Sequence, residues 1–190
     1  MTSVRRVHYT YAEYLALESA SSTRHEYLDG EIYAMAGGTP DHAALAARVI
    51  GALVTQLRPE CRAFTADLRI RIEETGLSTY PDAAVVRGPS ERAASDGLAV
   101  VNPVVLIEVT SNSTEDYDRG EKLRQYQTLP SVQEIVFVSH RSQNLTRHRR
   151  ERAGWTATEV GTGESVELTS VGVRLHVDDI YQGGLEDAAR

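Results

Sequence analysis

Cysteine, methionine and tryptophan are all scarce in this chain of 190 residues, and so are long apolar runs. The single cysteine, Cys61, excludes an intrachain disulfide and is typical of a protein from a reducing compartment. No segment approaches the roughly 20 apolar residues of a membrane span, and the N-terminus lacks the apolar region of a signal peptide. These absences predict a soluble, cytoplasmic protein with no membrane partner.

Positive charge is also in short supply, and almost all of it is arginine. The net charge of -7 argues against holding nucleic acid by bulk positive charge, although it leaves room for an enzyme that collects carboxylates for a metal ion. Of the 20 lysine and arginine residues, Lys122 alone is a lysine. Its ammonium is a compact charge with an adjustable pKa, whereas arginine is permanently charged. Codon bias would explain a single lysine among arginines without any function. The neighbouring carboxylates favour a functional role for Lys122 instead.

The sequence predicts a single α/β domain that covers residues 1–190 and contains a mixed sheet. Its content of 41% hydrophobic residues is enough for a core, and no repeat or long linker divides it. The ordered part is expected at about 10–181, with a frayed tail at 183–190. Capping signals and apolar spacing predict three helices. The first covers residues 10–19 with Thr10 as its N-cap, and the second covers 40–57 with Thr39 as its N-cap. The third begins at Asp118, with Glu121 as capping partner, and ends before Pro130.

Strands are predicted from apolar runs and turn residues. An Asp29-Gly30 turn predicts a hairpin, because both residue types tolerate a positive φ. Residues 88–101 are expected to form a loop or a poorly determined helix. The predicted strands cover residues 25–28, 31–35, 61–65, 67–72, 80–86, 104–109 and 134–138, followed by antiparallel strands at 145–148, 155–160, 165–168 and 171–177, with a terminal turn at 178–181.

The most apolar strand, at 104–109, carries the carboxylate of Glu108 close to its end. A buried charge of this kind is costly unless a partner compensates it. Asp82 opens the neighbouring predicted strand, and Lys122 lies on the helix that follows Glu108. Two carboxylates at the ends of adjacent strands can share one Mg²⁺, with waters and the backbone carbonyl of Val109 as further ligands. The lysine would then orient an attacking water or stabilise charge on a phosphate.

This constellation has a structural alternative, in which Asp82 is a turn residue and Glu108 pairs with a buried arginine. Other chemistry finds no support, because the chain has no Gly-rich phosphate loop, no G-x-S-x-G elbow and no C-x-x-C. Glu26 is a possible third carboxylate, with Glu31 as its competitor on the next strand. His42, near a helix start, is a candidate to contact a phosphate or a water that lies beyond the ligands of the metal ion. Alternatively, it faces solvent or caps the helix.

A basic cluster near residue 150 supplies possible nucleic-acid contacts, namely Arg147, Arg149 and Arg150. A solvated hairpin is the alternative interpretation of this cluster.

Several motifs together resemble the Uma-two-type endonucleases, a bacterial branch of the PD-(D/E)XK nuclease superfamily. They are YPD at 80–82, the strand ending in Glu108-Val109, SNST at 111–114, DRGEK at 118–122 with Tyr126, YLDGE at 27–31 and the helix of His42. The resemblance covers about residues 10–181. It implies a restriction-endonuclease-like core and Mg²⁺-dependent phosphodiester hydrolysis, with Asp82 and Glu108 as metal ligands and with Mn²⁺ as a possible substitute.

The sequence departs from the superfamily pattern at Thr110, where a lysine is expected two residues after the glutamate. Lys122, on the following helix, has the position of a migrated lysine. The resemblance therefore predicts an active endonuclease on nucleic acid, chiefly DNA, and paired cuts in a duplex favour a homodimer. A protein partner for recognition is left open. The alternative is an inactive nuclease-fold interaction module within a dimer or larger assembly.

Overall fold

A computed structural model describes residues 7–35, 37–111 and 115–186. Part of the SNST motif (residues 112–114) and the end of the predicted tail (187–190) lie outside the described residues.

The helices begin where the capping signals predict, with one exception. Thr10 and Glu13 form a complete capping box at the first helix, and the Thr39 side chain accepts a hydrogen bond from the His42 N–H at the second. The helices are α1 (Tyr11–Ala20), α2 (Pro40–Gln56), α3 (Glu115–Tyr117), α4 (Leu123–Thr128) and α5 (Val177–Ile180), with a π-helical turn (Asp118–Lys122) between α3 and α4.

Asp118 is the exception, because the prediction that it caps a helix is wrong. The helical segment already begins at Glu115, and Asp118 lies inside the π-helical turn with its side chain buried near Lys122. The predicted end holds: α4 stops at Thr128, before Pro130. A short helix, α5, also replaces the predicted terminal turn.

The strands form two six-stranded sheets and a separate hairpin. The Asp29-Gly30 hairpin is confirmed, with φ values of 48° and 81° at its turn. The strands are β1 (His25–Leu28), β2 (Glu31–Ala34), β3 (Cys61–Thr65), β4 (Arg69–Ile72), β5 (Leu77–Thr79), β6 (Ala83–Arg87), β7 (Arg92–Ala93), β8 (Asp96–Val100), β9 (Pro103–Val109), β10 (Glu134–Val138), β11 (Asn144–Glu151), β12 (Gly154–Gly161), β13 (Ser165–Leu168) and β14 (Val173–His176).

The central sheet has the order β12-β11-β10-β9-β6-β3 and is mixed, as predicted. Strands β9 and β10 pair in parallel, and the other neighbours are antiparallel. Alternate residues of β9 enter two cores: Val105 and Ile107 face α2 and the β13–β14 hairpin, whereas Leu106 faces α4. Burial on both faces explains why this strand is a continuous apolar run.

The second sheet, with the order β2-β1-β5-β4-β8-β7, was not anticipated. The prediction of a loop or helix at 88–101 is wrong, since β7 and β8 pair there as a hairpin; with two and five residues they are too short to give a clear apolar alternation. The predicted strand 80–86 is wrong at its start. Residues 77–79 belong to the second sheet, and 80–82 carry the chain across to the central sheet, where β6 begins at Ala83.

Candidate active site

Asp82 and Glu108 meet at one end of the central sheet. Ala83 at the start of β6 is the partner of Ile107 in β9, so Asp82 and Glu108 occupy the next position on each strand. The Asp82 Oδ2 accepts a hydrogen bond of 2.7 Å from the Val109 N–H, which ties the connection between the sheets to the end of β9. The structure therefore brings together the two carboxylates that the sequence predicted as neighbours.

Lys122 reaches the same place from the helical side. Its Nζ lies 2.9 Å from Glu108 Oε1, 2.9 Å from Glu26 Oε1 and 3.7 Å from Asp118 Oδ1. All four side chains are largely buried, with side-chain exposures of 5% for Lys122 and Glu108. We call Lys122, Glu26, Glu108 and Asp118 the buried charge cluster. Glu26 thus lies in the candidate site, as the sequence allowed.

The π-helical turn determines how Lys122 enters this cluster. The Leu123 N–H reaches the carbonyl of Asp118, five residues earlier, which widens the helix at this point. Asp118 and Lys122, four positions apart, are both buried here. Insertions of this kind occur often at functional sites. The wide turn thus directs an acid and the sole lysine into the same interior space.

Two hydroxyl groups hold the acids of the buried charge cluster in place. The Tyr126 O–H donates to Glu108 Oε1 at 2.5 Å, and the Thr79 hydroxyl donates to Glu26 Oε1 at 2.5 Å. Tyr126 belonged to the motif that carried the family resemblance. Thr79 was missed, because the short strand β5 that positions it has no sequence signal.

The electrostatics of the cluster follow from its burial. Burial raises the pKa of Glu108 to about 8; the Lys122 charge opposes this shift, and the Asp82 and Asp118 charges add to it. Burial disfavours the Lys122 ammonium, but the surrounding carboxylates, Glu108 foremost, outweigh it and raise the pKa of Lys122. Lys122 therefore stays charged and supplies the positive partner that an ionised Glu108 needs.

His42 lies beside Asp82, as a candidate residue should. Its Nε2 is 3.3 Å from Asp82 Oδ2, and this hydrogen bond raises the pKa of the imidazole above its usual value, against the effect of burial. His42 lies in the first turn of α2, three residues after the N-cap Thr39, and its ring meets Asp82 at the end of the central sheet.

His140 is a neighbouring residue that sequence reasoning missed. Its ring Nδ1 lies 2.8 Å from the hydroxyl oxygen of Thr110, and its backbone N–H donates a hydrogen bond to the same oxygen at 3.2 Å. The only available signal was its position, two residues after β10, which runs parallel to β9 and ends at the same edge. Thr110, which stands where the superfamily pattern expects lysine, thus contacts an imidazole.

The remaining candidates have other surroundings. Glu31 accepts a hydrogen bond from the Tyr33 hydroxyl on β2. Arg147 donates to the Glu167 carbonyl at 2.6 Å, and Arg150 donates to the carbonyls of Val132, Gln127 and Leu129 at 2.7–3.0 Å. Because Arg149 and Arg150 alternate along β11, the three arginines do not share one face. Their contact with nucleic acid stays a prediction.

The donor set suits a hard cation of the Mg²⁺ type. Within residues 7–35, 37–111 and 115–186, no group of three or more His, Cys, Asp or Glu side chains has the geometry of a metal site. Mg²⁺, however, commonly takes only one or two carboxylates and keeps several waters. The hydrogen bonds of the described residues use Oδ2 of Asp82 and Oε1 of Glu108, which leaves Oδ1 and Oε2 as acceptors.

The fold of this chain has a counterpart among solved structures. It is similar to the crystal structure of "a putative nuclease belonging to DUF820" from Anabaena variabilis ATCC 29413, with a TM-score of 0.73 and 18% sequence identity over 89% of this chain and 95% of that chain. At this identity the likeness concerns the fold alone, and it confirms the restriction-endonuclease-like core.

Residues 11–178 match the family model of Uma2, described as "Putative restriction endonuclease". The chain belongs to the Uma2 family, as the motifs predicted. Two relatives from Synechocystis sp. are each named as an uncharacterized protein: slr1290 is 35% identical over 173 residues (90% of both chains), and sll1609 is 28% identical over 162 residues (84% of this chain and 90% of the relative). Membership of this family supports a nuclease as the functional class.

None of the helices in the described residues is both long and apolar enough to cross a membrane.

Proposed function

We propose that the protein is a Mg²⁺-dependent endonuclease that hydrolyses phosphodiester bonds of DNA at the site of Asp82, Glu108 and Lys122. The observation that carries this proposal is the Lys122 ammonium, which lies 2.9 Å from both Glu26 and Glu108 at the sheet end where Asp82 also lies. This lysine, from the helix after Glu108, would do the work of the lysine that the superfamily pattern expects at the position of Thr110.

Asp82 and Glu108 would hold the ion through the oxygens that accept no hydrogen bond from the described residues, with the Val109 carbonyl as a third ligand. Mn²⁺ can substitute, because it also prefers oxygen ligands. When bound, the ion supplies Lewis-acid polarisation of the phosphoryl group. The protein contributes the orientation of the acids: Tyr126 holds Glu108, and the Val109 N–H holds Asp82.

Lys122 has two tasks in this proposal. Two of its three N–H donors hold Glu26 and Glu108 in place, which prevents the crowded carboxylates from moving apart. The third donor would orient the water whose oxygen attacks phosphorus. As the phosphorus–oxygen bond to the leaving sugar breaks, that water releases a proton to solvent and the leaving oxygen takes one up. His42, which is bound to Asp82, would contact the substrate phosphate. A homodimer would allow paired cuts in a duplex, and a partner protein is one source of sequence recognition.

The test is cleavage of plasmid, linear duplex, single-stranded DNA and RNA with Mg²⁺, with Mn²⁺ and with EDTA. Asp82→Asn and Glu108→Gln preserve side-chain shape and should each lower metal-dependent cleavage by about 100-fold or more. Glu121→Gln, at an exposed neighbour of Lys122, is the matched control and should cut like the parent. Full activity in both site variants would refute the proposal, and cleavage of RNA alone would move the substrate from DNA to RNA.

A second candidate function is an inactive nuclease-fold interaction module. It is favoured by the Lys122 ammonium, which already compensates Glu26 and Glu108 without a metal ion. This module should bind no divalent cation at millimolar concentrations. A calorimetric Mg²⁺ or Mn²⁺ signal that disappears in Asp82→Asn would argue against it.

A further inference from the structure

Two adjoining cavities lie at the end of the central sheet opposite to the candidate active site. One has a volume of about 260 Å³ and is lined by Arg58, Arg87 and the loop 169–172. The other, of about 300 Å³, is lined by Arg87, Arg149, part of the same loop and Arg150, whose guanidinium is bound to backbone carbonyls. Because they share Arg87, Thr169 and Ser170, we treat them as one feature, the arginine groove, defined by Arg58, Arg87, Arg149 and residues 169–172.

The arginine groove carries positive charge that the protein does not use internally. The side chains of Arg58 and Arg87 are exposed, and neither guanidinium makes an ion pair or hydrogen bond with another described residue. Arg149 makes one partly exposed pair, with Glu151 at 3.3 Å. The acids that line the cavities are Glu60 and Glu134. In a chain of net charge -7, unpaired guanidinium groups gathered in one groove indicate an anionic ligand.

Glu134 does not cancel this charge, because its carboxylate is fully buried and already bound. It accepts hydrogen bonds from the N–H groups of Thr169 and Ser170, at 3.2 and 3.0 Å, and from the Ser170 hydroxyl at 2.5 Å. These bonds hold the loop that lines both cavities. Beside them, Gly172 has a φ of +70°, and the Arg58 guanidinium lies within 3.5–3.8 Å of where a Cβ would be. The Glu134 carboxylate therefore holds the loop side of the groove in place.

The arginine groove is separate from the acids of the candidate active site. Arg87 ends β6, five positions after Asp82, and at about 3.3 Å per residue this separates the two by about 17 Å. This distance corresponds to about five base pairs along a duplex axis. A guanidinium fork matches the geometry of phosphate oxygens and can bind them bidentately.

We propose that the arginine groove binds phosphate groups, with Arg58, Arg87 and Arg149 as the contacting side chains. The phosphates belong either to the backbone of a nucleic acid beyond the active site or to a free nucleotide. Binding of either kind does not require cleavage, so the proposal stands or falls independently of the proposed nuclease activity.

The experiment measures binding of labelled single-stranded and duplex DNA by fluorescence anisotropy, in EDTA and over a series of salt concentrations. A parallel calorimetric titration uses AMP. Arg87→Ala and Arg58→Ala are compared with the parent and with Arg152→Ala, an exposed arginine outside the groove. Circular dichroism confirms that each variant is folded, which is expected because neither groove side chain has a described partner to lose.

Each groove variant should lower DNA affinity roughly five- to tenfold at low salt. It should also reduce the slope of log affinity against log salt by about 0.7–0.9 per lost contact. Arg152→Ala should leave both quantities unchanged. AMP binding that is lost in the groove variants, without DNA binding, would assign the groove to a free nucleotide. The proposal is overturned if neither ligand binds, or if the groove variants and the control behave alike.

Discussion

Replacing Lys122 with methionine would remove the ammonium from the buried charge cluster while keeping a side chain of similar length. Three carboxyl groups, those of Glu26, Glu108 and Asp118, would then lie together without a positive partner. At 2.9 Å and an effective dielectric constant of about 20, each close contact has a gross Coulomb energy of about 6 kcal/mol, much of which offsets desolvation. Breaking a buried pair by removing one partner costs about 3–5 kcal/mol.

For a chain of this size, a loss of 3–5 kcal/mol should lower the Tm by roughly 6–20 °C. Urea unfolding and calorimetry would measure both quantities. The matched control is Arg24→Met, which breaks the exposed 2.6 Å pair between Arg24 and Asp67 and should cost less than about 1 kcal/mol. Adding Glu26→Gln to Lys122→Met should recover part of the lost stability, because one uncompensated charge is removed.

The reasoning would be refuted if Lys122→Met lowered the free energy of unfolding by less than about 1 kcal/mol and Arg24→Met lowered it by the same amount. That result would mean that burial does not determine how much the ion pairs of Lys122 contribute to the free energy of unfolding.

Two further substitutions test the groups that support the site and the groove. Tyr126→Phe removes a buried donor to Glu108 and should lower the free energy of unfolding by about 1–3 kcal/mol in urea titrations; a loss below about 0.5 kcal/mol would contradict the hydrogen bond. Glu134→Gln removes charge-assisted bonds to the 169–170 loop and should cost about 2–3 kcal/mol by the same measurement, with faster hydrogen exchange at Ser170. Unchanged exchange there would show that Glu134 does not hold the loop.

Local signals predicted the local structure well. The capping box of Thr10 and Glu13, the Thr39-Pro40 helix start and the Asp29-Gly30 turn all depend on contacts within four residues. The second sheet escaped prediction because its short strands, such as β5 and β7, gain their stability from pairing with strands distant in sequence. Asp118 was misassigned for a related reason: a capping pattern does not reveal that the helix has already begun.

The candidate site was predicted in part. Asp82, Glu108 and Lys122 were identified as a group from residue type and position, and the structure places them at one end of the central sheet. Glu26 and Glu31 could not be ranked by sequence, because the face of a hairpin that becomes buried depends on what packs against it. The structure places Glu26 against Lys122 and leaves Glu31 with Tyr33 on β2.

The sequence by itself determined the residue types of the site, the family to which its motifs belong and the turns and caps that begin its main elements. Only the tertiary structure decided that Thr79 and His140 join these residues, that Tyr126 binds Glu108, and that Arg58, Arg87 and Arg149 gather at the opposite end of the sheet. The physical reason is that a side chain's charge and hydrogen-bonding capacity belong to the residue, whereas its partners depend on strand register and on the faces that packing buries.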